Sequence, residues 1–178
     1  VGLAAMLTAM NFPYNKFRYF TKPLLLANIL LLIVVFFFED TKGSHRWIPL
    51  GIFNLQPSEI AKFSVALFMA DILSRYKADP NDLKGDLGHI IIVVGVILAL
   101  ILKEPDLGTT IAIAAMVMIV LLVSGLRWLY FIGTGLAGAA GVTVLIMNSE
   151  YQMKRIIGWL DPWSDPIGMG YQPIQSLY

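Results

Sequence analysis

The sequence contains no cysteine, only two histidines and few charged residues. The absence of cysteine excludes disulfide bonds and thiolate metal sites. Charged residues make up 14% of the 178 residues, whereas a soluble domain usually has about 25%. The formal net charge of +1 is too small to predict nucleic-acid binding. His45 and His89 lie far apart in the sequence and do not by themselves make a metal site.

Hydrophobic residues are abundant instead. They make up 57% of the chain, and the mean hydropathy is +0.72, so we expect an integral membrane protein. A helix needs roughly 20 apolar residues to cross a bilayer. The apolar runs predict an all-α, polytopic helix bundle with about five full transmembrane spans and one partial span. The partial span is Val1–Met10, and the full spans are Phe20–Phe38, Ser58–Leu73, Leu87–Leu102, Thr110–Val123 and Leu129–Met147.

These spans also predict how the chain is organised. We expect a single integral-membrane domain over residues 1–178, incomplete at both ends, with a large extracytoplasmic loop over residues 148–178. Alternation of the spans puts the loops Asn11–Pro23, Ser74–Asp86 and Ser124–Trp128 on one face. That face carries seven Lys and Arg residues against five on the other. Because short loops rich in Lys and Arg stay cytoplasmic, the opposite face is predicted to be the outer one.

The stretch "QPSEIAK" (Gln56–Lys62) places charges at the predicted outer end of a span. Pro57 suits the first helical turn, where its missing N–H costs nothing. Glu59 and Lys62 lie three residues apart, so they share a helix face and can pair. The pair either stabilises the start of the helix or serves a function, since charges within a membrane are commonly functional.

Two further polar stretches lie on the same predicted face. "KEPDLGT" (Lys103–Thr109) interrupts two apolar runs and carries Glu104 and Asp106. It is either a tight turn with a carboxylate at the next helix start or a polar site at the mouth of the bundle. Arg46, beside Trp47, is either a snorkelling cation at the interface or a ligand for an anionic head group, because guanidinium matches phosphate oxygens.

The stretch "WLDPWSDPIGMGYQ" (Trp159–Gln172) is polar and rich in turn-forming residues. Asp161 and Asp165 each precede a proline, which favours extended backbone at the aspartate. Their four-residue spacing therefore does not place them on one helix face. A stiff loop carrying a carboxylate suits a general base or a metal ligand, and it equally suits an ordinary Asp-Pro turn. Physical reasoning alone does not separate Asp161 from Asp165.

Three phrases, in their order along the chain, resemble the SEDS family (shape, elongation, division and sporulation) of the RodA, FtsW and SpoVE type. They are "KGSHRWIPLGIFNLQPSEIAK" (Lys42–Lys62), "EPDLGTT" (Glu104–Thr110) and "RIIGWLDPWSDPIGMGYQPIQSL" (Arg155–Leu177). The resemblance covers essentially the whole chain. It implies a protein of about ten spans, of which the first and the later ones are missing here.

The resemblance implies a peptidoglycan glycosyltransferase that polymerises lipid II into glycan strands at the outer face of the bacterial cytoplasmic membrane. It serves cell elongation, division or sporulation, and its partner is a class B penicillin-binding protein, a transpeptidase. A divalent cation, Mg²⁺ or Mn²⁺, is implied, and no organic cofactor. The isolated piece is expected to be inactive.

The resemblance also assigns residues. The family's essential aspartate precedes Pro-x-Gly-x-Gly-aromatic-Gln, which here makes Asp165 the catalytic candidate, as a general base or as a metal ligand. The earlier loop position is often Asn in relatives, so Asp161 is the weaker candidate. The candidate substrate-binding residues are Arg46, Glu59, Lys62, Asp106 and Gln172.

Two other functions fit a membrane bundle with charged residues. One is a lipid II flippase or transporter, which would need a polar path reaching the cytoplasmic face. Asp71 is the only acid of a predicted span toward that face. The other is a non-catalytic scaffold for a cell-wall partner, which would tolerate Asp165→Asn whereas an enzyme would not.

Overall fold

The computed structural model describes residues 16–38, 46–49, 54–75 and 78–177, together with residues 2, 6, 7, 10, 11 and 13. The predicted partial span Val1–Met10 lies largely outside the described residues and stays a prediction. The chain divides into two compact units, Val1–Arg127 and Trp128–Tyr178. The helices are α1 (Phe17–Val34), α2 (Pro57–Leu73), α3 (Asp86–Lys103), α4 (Leu107–Val123), α5 (Trp128–Met147), α6 (Glu150–Leu160) and α7 (Tyr171–Leu177). Two short strands are β1 (Ile48–Pro49) and β2 (Asn54–Leu55).

The helices α1 to α5 coincide with the five predicted full spans. Three segments are long and apolar enough to cross a membrane, namely Phe17–Phe37, Asp86–Lys103 and Trp128–Met147, and Leu107–Val123 is a shorter apolar helix. This count covers only the part of the chain that the structure describes. The mostly helical fold with several membrane-grade helices is that of a multi-pass membrane protein, and the number of five full spans stays a prediction.

The start of α1 differs from its predicted position. The predicted loop extended to Pro23, but the helix begins at Phe17 and contains Pro23. A proline is tolerated inside a membrane helix because neighbouring groups satisfy the freed backbone. At its other end, α1 continues into one 3₁₀ turn, Val35–Phe37.

In the first unit, α1 and α2 pack antiparallel. Arg18 near the start of α1 contacts Asp71 near the end of α2, and Asn28 further along α1 donates to the carbonyl of Pro57 at the start of α2 at 2.9 Å. The fully buried Asn28 amide oxygen also accepts from the Ser64 hydroxyl. Such interhelical bonds satisfy polar groups where no water is available. Around them lies an aliphatic core that includes Leu32, Val65, Ile72, Ile90, Ile97, Ile101 and Ile113.

Loops that were predicted to share one face do meet. Asn81, between α2 and α3, donates to the carbonyl of Gly125 at 3.1 Å and accepts from the backbone N–H of Arg127 at 2.8 Å. Gly125 has φ +98°, which a residue with a Cβ rarely adopts, so the predicted tight turn between α4 and α5 is confirmed. The two loops therefore lie at the same end of the bundle.

At the opposite end of α2, a small hairpin precedes the helix. β1 and β2 pair antiparallel, with Ile48 opposite Leu55 and Pro49 opposite Asn54. The all-α prediction did not include this hairpin. Pro57 then occupies the first turn of α2, as predicted. The hairpin matters because it joins Arg46 on one side to the start of α2 on the other.

The second unit contains more regular structure than predicted. Residues 148–178 were predicted as a loop, but α6, a 3₁₀ turn at Pro162–Ser164 and α7 occupy most of this segment. The Ser149 side chain caps α6 by accepting from the backbone N–H of Gln152. A Ser at this position satisfies one of the free N–H groups at a helix start, which is the signal that the sequence analysis missed.

Candidate functional site

The turn between α3 and α4 is built around Asp106. Its side chain caps α4 by accepting from the backbone N–H of Thr109 at 3.2 Å, and its carbonyl accepts from the backbone N–H of Thr110. Aspartate is a favoured residue at this position because its oxygen satisfies a free N–H of the first turn. The predicted carboxylate at the helix start is thus confirmed.

Asp106 also joins two helices. One of its oxygens accepts from the Thr109 hydroxyl at 2.8 Å, from the Gln56 amide at 3.2 Å and from the Ser58 hydroxyl at 3.4 Å. Gln56 and Ser58 stand at the start of α2, so the carboxylate fixes the start of α2 against the start of α4. Asp106 is only 9% exposed, and its several donors compensate for burying a charge.

Arg46 clamps the same turn from the hairpin side. Its Nε donates to the carbonyl of Glu104 at 2.7 Å, and its Nη2 donates to the carbonyl of Pro105. These two carbonyls belong to the turn that follows α3, and their bonds to the guanidinium hold Arg46 in a fixed position. The structure therefore brings together two of the predicted site residues, Arg46 and Asp106.

Glu104 is the unusual residue of this turn. Its side chain is fully buried, and neither carboxyl oxygen has a hydrogen-bond partner among the described residues. Burial and, to a lesser extent, the nearby Asp106 carboxylate raise its pKa from 4.5 to about 8, although the Arg46 guanidinium partly offsets both effects. At neutral pH the group is therefore mostly a neutral acid, because an unpaired buried carboxylate is costly.

Glu59 and Lys62 form the predicted ion pair. The Lys62 ammonium lies 2.8 Å from the Glu59 carboxylate, and both side chains are about half exposed. Glu59 directly follows Ser58, whose hydroxyl donates to Asp106. The start of α2 therefore carries a buried hydrogen bond at Ser58 and exposed charges at Glu59 and Lys62. Exposed pairs of this spacing contribute little to stability. Because both side chains are about half exposed, both charges are accessible to a ligand.

In the second unit, Asp165 is an exposed carboxylate held by its own loop. Its two oxygens accept from the backbone N–H groups of Gly168 at 3.0 Å and Met169 at 3.1 Å. Its carbonyl accepts from the backbone N–H of Gly170. Asp161 and Asp165 both have non-helical backbone, with φ of −131° and −143°, so the predicted absence of a shared helix face is confirmed.

Three glycines allow this loop to close. A Cβ on Gly168 would overlap the Asp165 carboxylate, and a Cβ on Gly170 would overlap the carbonyl of Pro162. A Cβ on Gly158 of α6 would lie 2.8 Å from the Cβ of Met169. The glycines after Asp-Pro therefore leave room for the carboxylate and for close packing of the loop against α6.

Gln172 and Asp161 are the other predicted positions of the second unit. Gln172 is exposed in the first turn of α7, seven residues after Asp165. Asp161 ends α6, and its carbonyl accepts from the Ser164 hydroxyl at 2.7 Å. Arg46, Glu59, Lys62 and Asp106 belong to the first unit, and Asp165 and Gln172 belong to the second.

Sequence reasoning missed the polar partners of Asp106 and the isolation of Glu104. Gln56 and Ser58 flank Pro57 at a helix start, and Asp106 is a favoured residue to cap a helix, which are signals for polar groups at both helix starts. Nothing in the sequence distinguishes a buried Glu104 from an exposed one. Among the described residues, no group of three or more His, Asp and Glu side chains is arranged to hold a metal ion.

Comparison with known proteins identifies the family. The family model described as "Cell cycle protein", of the FtsW, RodA and SpoVE type, matches residues 1–178. A probable peptidoglycan glycosyltransferase FtsW of Trichlorobacter lovleyi is 35% identical over 100% of this chain and 48% of its own length. Stage V sporulation protein E of Bacillus subtilis is 33% identical over 100% of this chain and 50% of its own length. The chain thus spans about half the length of these relatives.

Two solved structures share the fold of most of this chain. A chain from a peptidoglycan synthase complex that coordinates polymerization and crosslinking matches 98% of this chain and 52% of its own length, with a TM-score of 0.76 and 29% identity. The rod shape determining protein RodA of Thermus thermophilus matches 81% of this chain and 46% of its own length, with a TM-score of 0.67 and 25% identity. The full-length family match and the shared fold lead to one conclusion: the chain belongs to the SEDS family of FtsW, RodA and SpoVE.

Proposed function

We propose that this chain is part of a peptidoglycan glycosyltransferase that polymerises lipid II at the outer face of the bacterial cytoplasmic membrane. The names of its relatives, peptidoglycan glycosyltransferase FtsW and a sporulation protein, support this reaction and a role in division or sporulation. The observation that carries the proposal is Asp165, an exposed carboxylate whose direction is fixed by two backbone N–H groups.

In this reaction the 4-hydroxyl of the acceptor sugar attacks the anomeric carbon of the lipid-linked donor. A bond forms between the hydroxyl oxygen and the anomeric carbon, and the bond to the pyrophosphate oxygen breaks. The hydroxyl proton goes to the Asp165 carboxylate, which acts as general base. The backbone bonds to Gly168 and Met169 hold this carboxylate in place before substrate arrives, which reduces the ordering needed during reaction.

The leaving undecaprenyl pyrophosphate needs positive charge nearby. Lys62 is accessible and oriented by Glu59, and Arg46 is held on the turn of Glu104 and Pro105, where its remaining donors suit phosphate oxygens. Asp106 holds the start of α2 in place, and Gln172 is a polar group for sugar contacts. These roles make Arg46 and Lys62 the proposed pyrophosphate ligands.

A divalent cation, Mg²⁺ or Mn²⁺, fits this site only as an ion shared with substrate. No cluster of three ligating side chains exists among the described residues, but Mg²⁺ is commonly bound by one or two carboxylates together with substrate phosphates. Asp165 is the carboxylate that would hold it, in which case Asp165 would act as a metal ligand instead of the general base. When bound, the cation would neutralise charge on the pyrophosphate.

The proposed partner is a class B penicillin-binding protein. The match to a chain of a complex that coordinates polymerization with crosslinking supports a transpeptidase alongside this protein. The proposed location is the cytoplasmic membrane, with Asp165 facing outward, which is supported by the excess of Lys and Arg on the loops at the other face.

The test uses the full-length parent purified with its transpeptidase partner, labelled lipid II and Mg²⁺ or Mn²⁺. Asp165→Asn keeps the shape of the side chain but removes its charge. Asp161→Asn is the matched control, because Asp161 is an exposed aspartate before a proline in the same loop. We expect glycan polymer from the wild type and Asp161→Asn, none from Asp165→Asn, and none after chelation of the metal.

Different outcomes have different meanings. Equal polymer from both variants would show that Asp165 is only a turn residue. Absence of polymer from all three proteins, with an active partner present, would favour the flippase or the scaffold. Polymer that survives chelation would remove the cation from the proposal and leave Asp165 as general base.

A further inference from the structure

Three adjoining cavities run along the groove between α1 and α2. The first, of about 370 Å³, is lined by apolar side chains: Phe17, Phe20, Pro23, Leu24, Phe63 and Leu67. The second, of about 550 Å³, shares Phe17 and Leu67 with the first and adds Lys16 and Asp71. The third, of about 560 Å³, is lined by Arg18, Tyr19, Lys22, Asp71 and Arg75. The groove therefore changes from apolar to charged along its length.

The charged end of the groove is organised by Asp71. Its carboxylate accepts from Arg18 Nε at 2.8 Å and from Arg75 Nη2 at 2.9 Å. The Asp71 side chain is only 8% exposed, whereas those of Arg18 and Arg75 are 61% and 44% exposed. Each guanidinium has five N–H donors, so the bonds to Asp71 orient both groups and leave donors for an anion.

Positive charge exceeds negative charge at this end. Among the described residues, the second and third cavities are lined by four basic side chains, Lys16, Arg18, Lys22 and Arg75, and by one carboxylate, that of Asp71. Basic pockets between membrane helices on the cytoplasmic side suit lipid head groups, and this is the face that the loop charges predict to be cytoplasmic. Tyr19, which is 83% exposed, adds an aromatic side chain of the kind that is enriched at the membrane interface.

The dimensions of the groove match one leaflet of a bilayer. From Phe63 to Ser74, α2 rises roughly 17 Å at about 1.5 Å per residue, and half of a hydrocarbon core is about 15 Å. The charged end of the groove lies at the other end of α2 from Ser58 and Asp106, since Ser58 and Asp71 are separated by roughly 20 Å along the helix. The charged end of the groove is therefore distinct from the start of α2 and from the turn that carries Glu104 and Asp106.

We propose that this groove binds an anionic phospholipid, with its phosphate at Arg18, Lys22 and Arg75 and an acyl chain along Phe20 and Phe63. Charge favours an anionic head group, and the continuous apolar section favours an attached acyl chain over a free phosphate. The lipid would hold the cytoplasmic ends of α1 and α2 together. The proposal does not depend on the reaction at Asp165.

The test measures lipid binding to the full-length protein in detergent by the shift of its thermal unfolding midpoint. The protein is titrated with phosphatidylglycerol, with phosphatidylcholine of the same acyl chains, and with soluble glycerol 3-phosphate. Lys22→Gln is the test variant because it leaves the bonds between Asp71 and the two arginines in place. Lys84→Gln is the matched control, since Lys84 is an exposed lysine in the loop at the same end and does not line these cavities.

We expect phosphatidylglycerol to bind at least about ten-fold more tightly than phosphatidylcholine. Lys22→Gln should weaken phosphatidylglycerol binding about five-fold, which corresponds to one interfacial charge, and Lys84→Gln should not. Lys16→Gln, in the adjoining cavity, should act like Lys22→Gln and serves if that variant misfolds. Equal binding of the two lipids, equal losses in Lys22→Gln and Lys84→Gln, or an equal shift with glycerol 3-phosphate would each overturn the proposal.

Discussion

Asp106 and Asp165 both stand beside a proline in a family motif, yet their surroundings differ. Asp106 follows its proline, is nearly buried, and receives bonds from side chains at the starts of two helices. Asp165 precedes its proline, is exposed, and receives bonds only from backbone N–H groups among those that the structure describes. The first carboxylate holds helices together, and the second is fixed in place while open to a ligand.

A residue of a family motif can either stabilise the fold or take part in the reaction, and these two aspartates represent the two cases. Replacing one oxygen of the Asp106 carboxylate by an amide N–H₂ leaves at least one of its donors without an acceptor, so we expect the main effect on stability. Removing the charge of Asp165 leaves two exposed N–H groups that water can satisfy, so we expect the main effect on reaction.

Gly168→Ala should greatly reduce polymer synthesis without changing Asp165 itself. The added Cβ would overlap the Asp165 carboxylate and displace it, and a displacement of about 1 Å can cost about 10²-fold in rate. The measurement is the rate of glycan polymer formation by the full-length protein with its partner. Gly133→Ala is the control because a Cβ there meets nothing within 4 Å; equal rates for the two variants would contradict a role for the position of the carboxylate.

Asp106→Asn should mainly destabilise the protein. An asparagine would turn its amide N–H₂ either to the Gln56 and Ser58 donors or to the backbone N–H of Thr109, and an unsatisfied buried group costs about 1–3 kcal/mol. A lowered thermal unfolding midpoint in detergent would show this. The exposed Asp82→Asn should change stability by less than about 0.5 kcal/mol. If both variants unfold at the same temperature, Asp106 does not hold the two helices together.

Glu104 should make stability depend on pH. The pKa of its carboxyl group is raised from 4.5 to about 8 in the folded protein. As pH rises, Glu104 therefore loses its proton at a lower pH in the unfolded chain than in the folded protein. The stabilisation is therefore fully present below about pH 4.5 and is lost as pH rises toward 8. We expect the unfolding midpoint of the wild type to fall between pH 5 and pH 8.5 more steeply than that of Glu104→Gln. Parallel curves would mean that the buried carboxyl does not titrate in this range.

The smallest stability effect is expected at the ion pair of Glu59 and Lys62. Because both side chains are about half exposed, Lys62→Gln should cost only about 0.2–0.5 kcal/mol. Its effect on polymer synthesis should be larger if Lys62 binds the pyrophosphate. Comparing the unfolding midpoint with the rate at several lipid II concentrations separates the two, and a rate that stays at the wild-type value would leave the pair a purely structural one.

Much of the helical framework followed from the sequence. Apolar runs marked α1 to α5 because a membrane helix needs a long stretch without charge. The pairing of Glu59 with Lys62, the first-turn position of Pro57 and the capping position of Asp106 followed from local rules that act within one turn. The family motif selected Asp165 over Asp161, a choice that physical reasoning from the residues did not make.

What the sequence did not predict depends on contacts between distant segments. The bonds of Arg46 to the carbonyls of Glu104 and Pro105 join residues nearly sixty positions apart, and no local pattern encodes them. The burial of Glu104 has the same origin, since it depends on which side chains pack above the turn. α6 was missed because it is short and polar, and such helices lack the long apolar run by which membrane helices are recognised.

The close packing among Gly158, Met169, Pro162 and Gly170 has a practical consequence. A segment whose parts touch each other so closely moves as one body, because its backbone has no room to deform piecemeal. A spectroscopic label on the exposed Trp163 position would therefore report the displacement and tilt of the whole Asp165 loop. Distances measured from that label to a second label on the proposed transpeptidase partner would then show whether binding of the partner moves this loop.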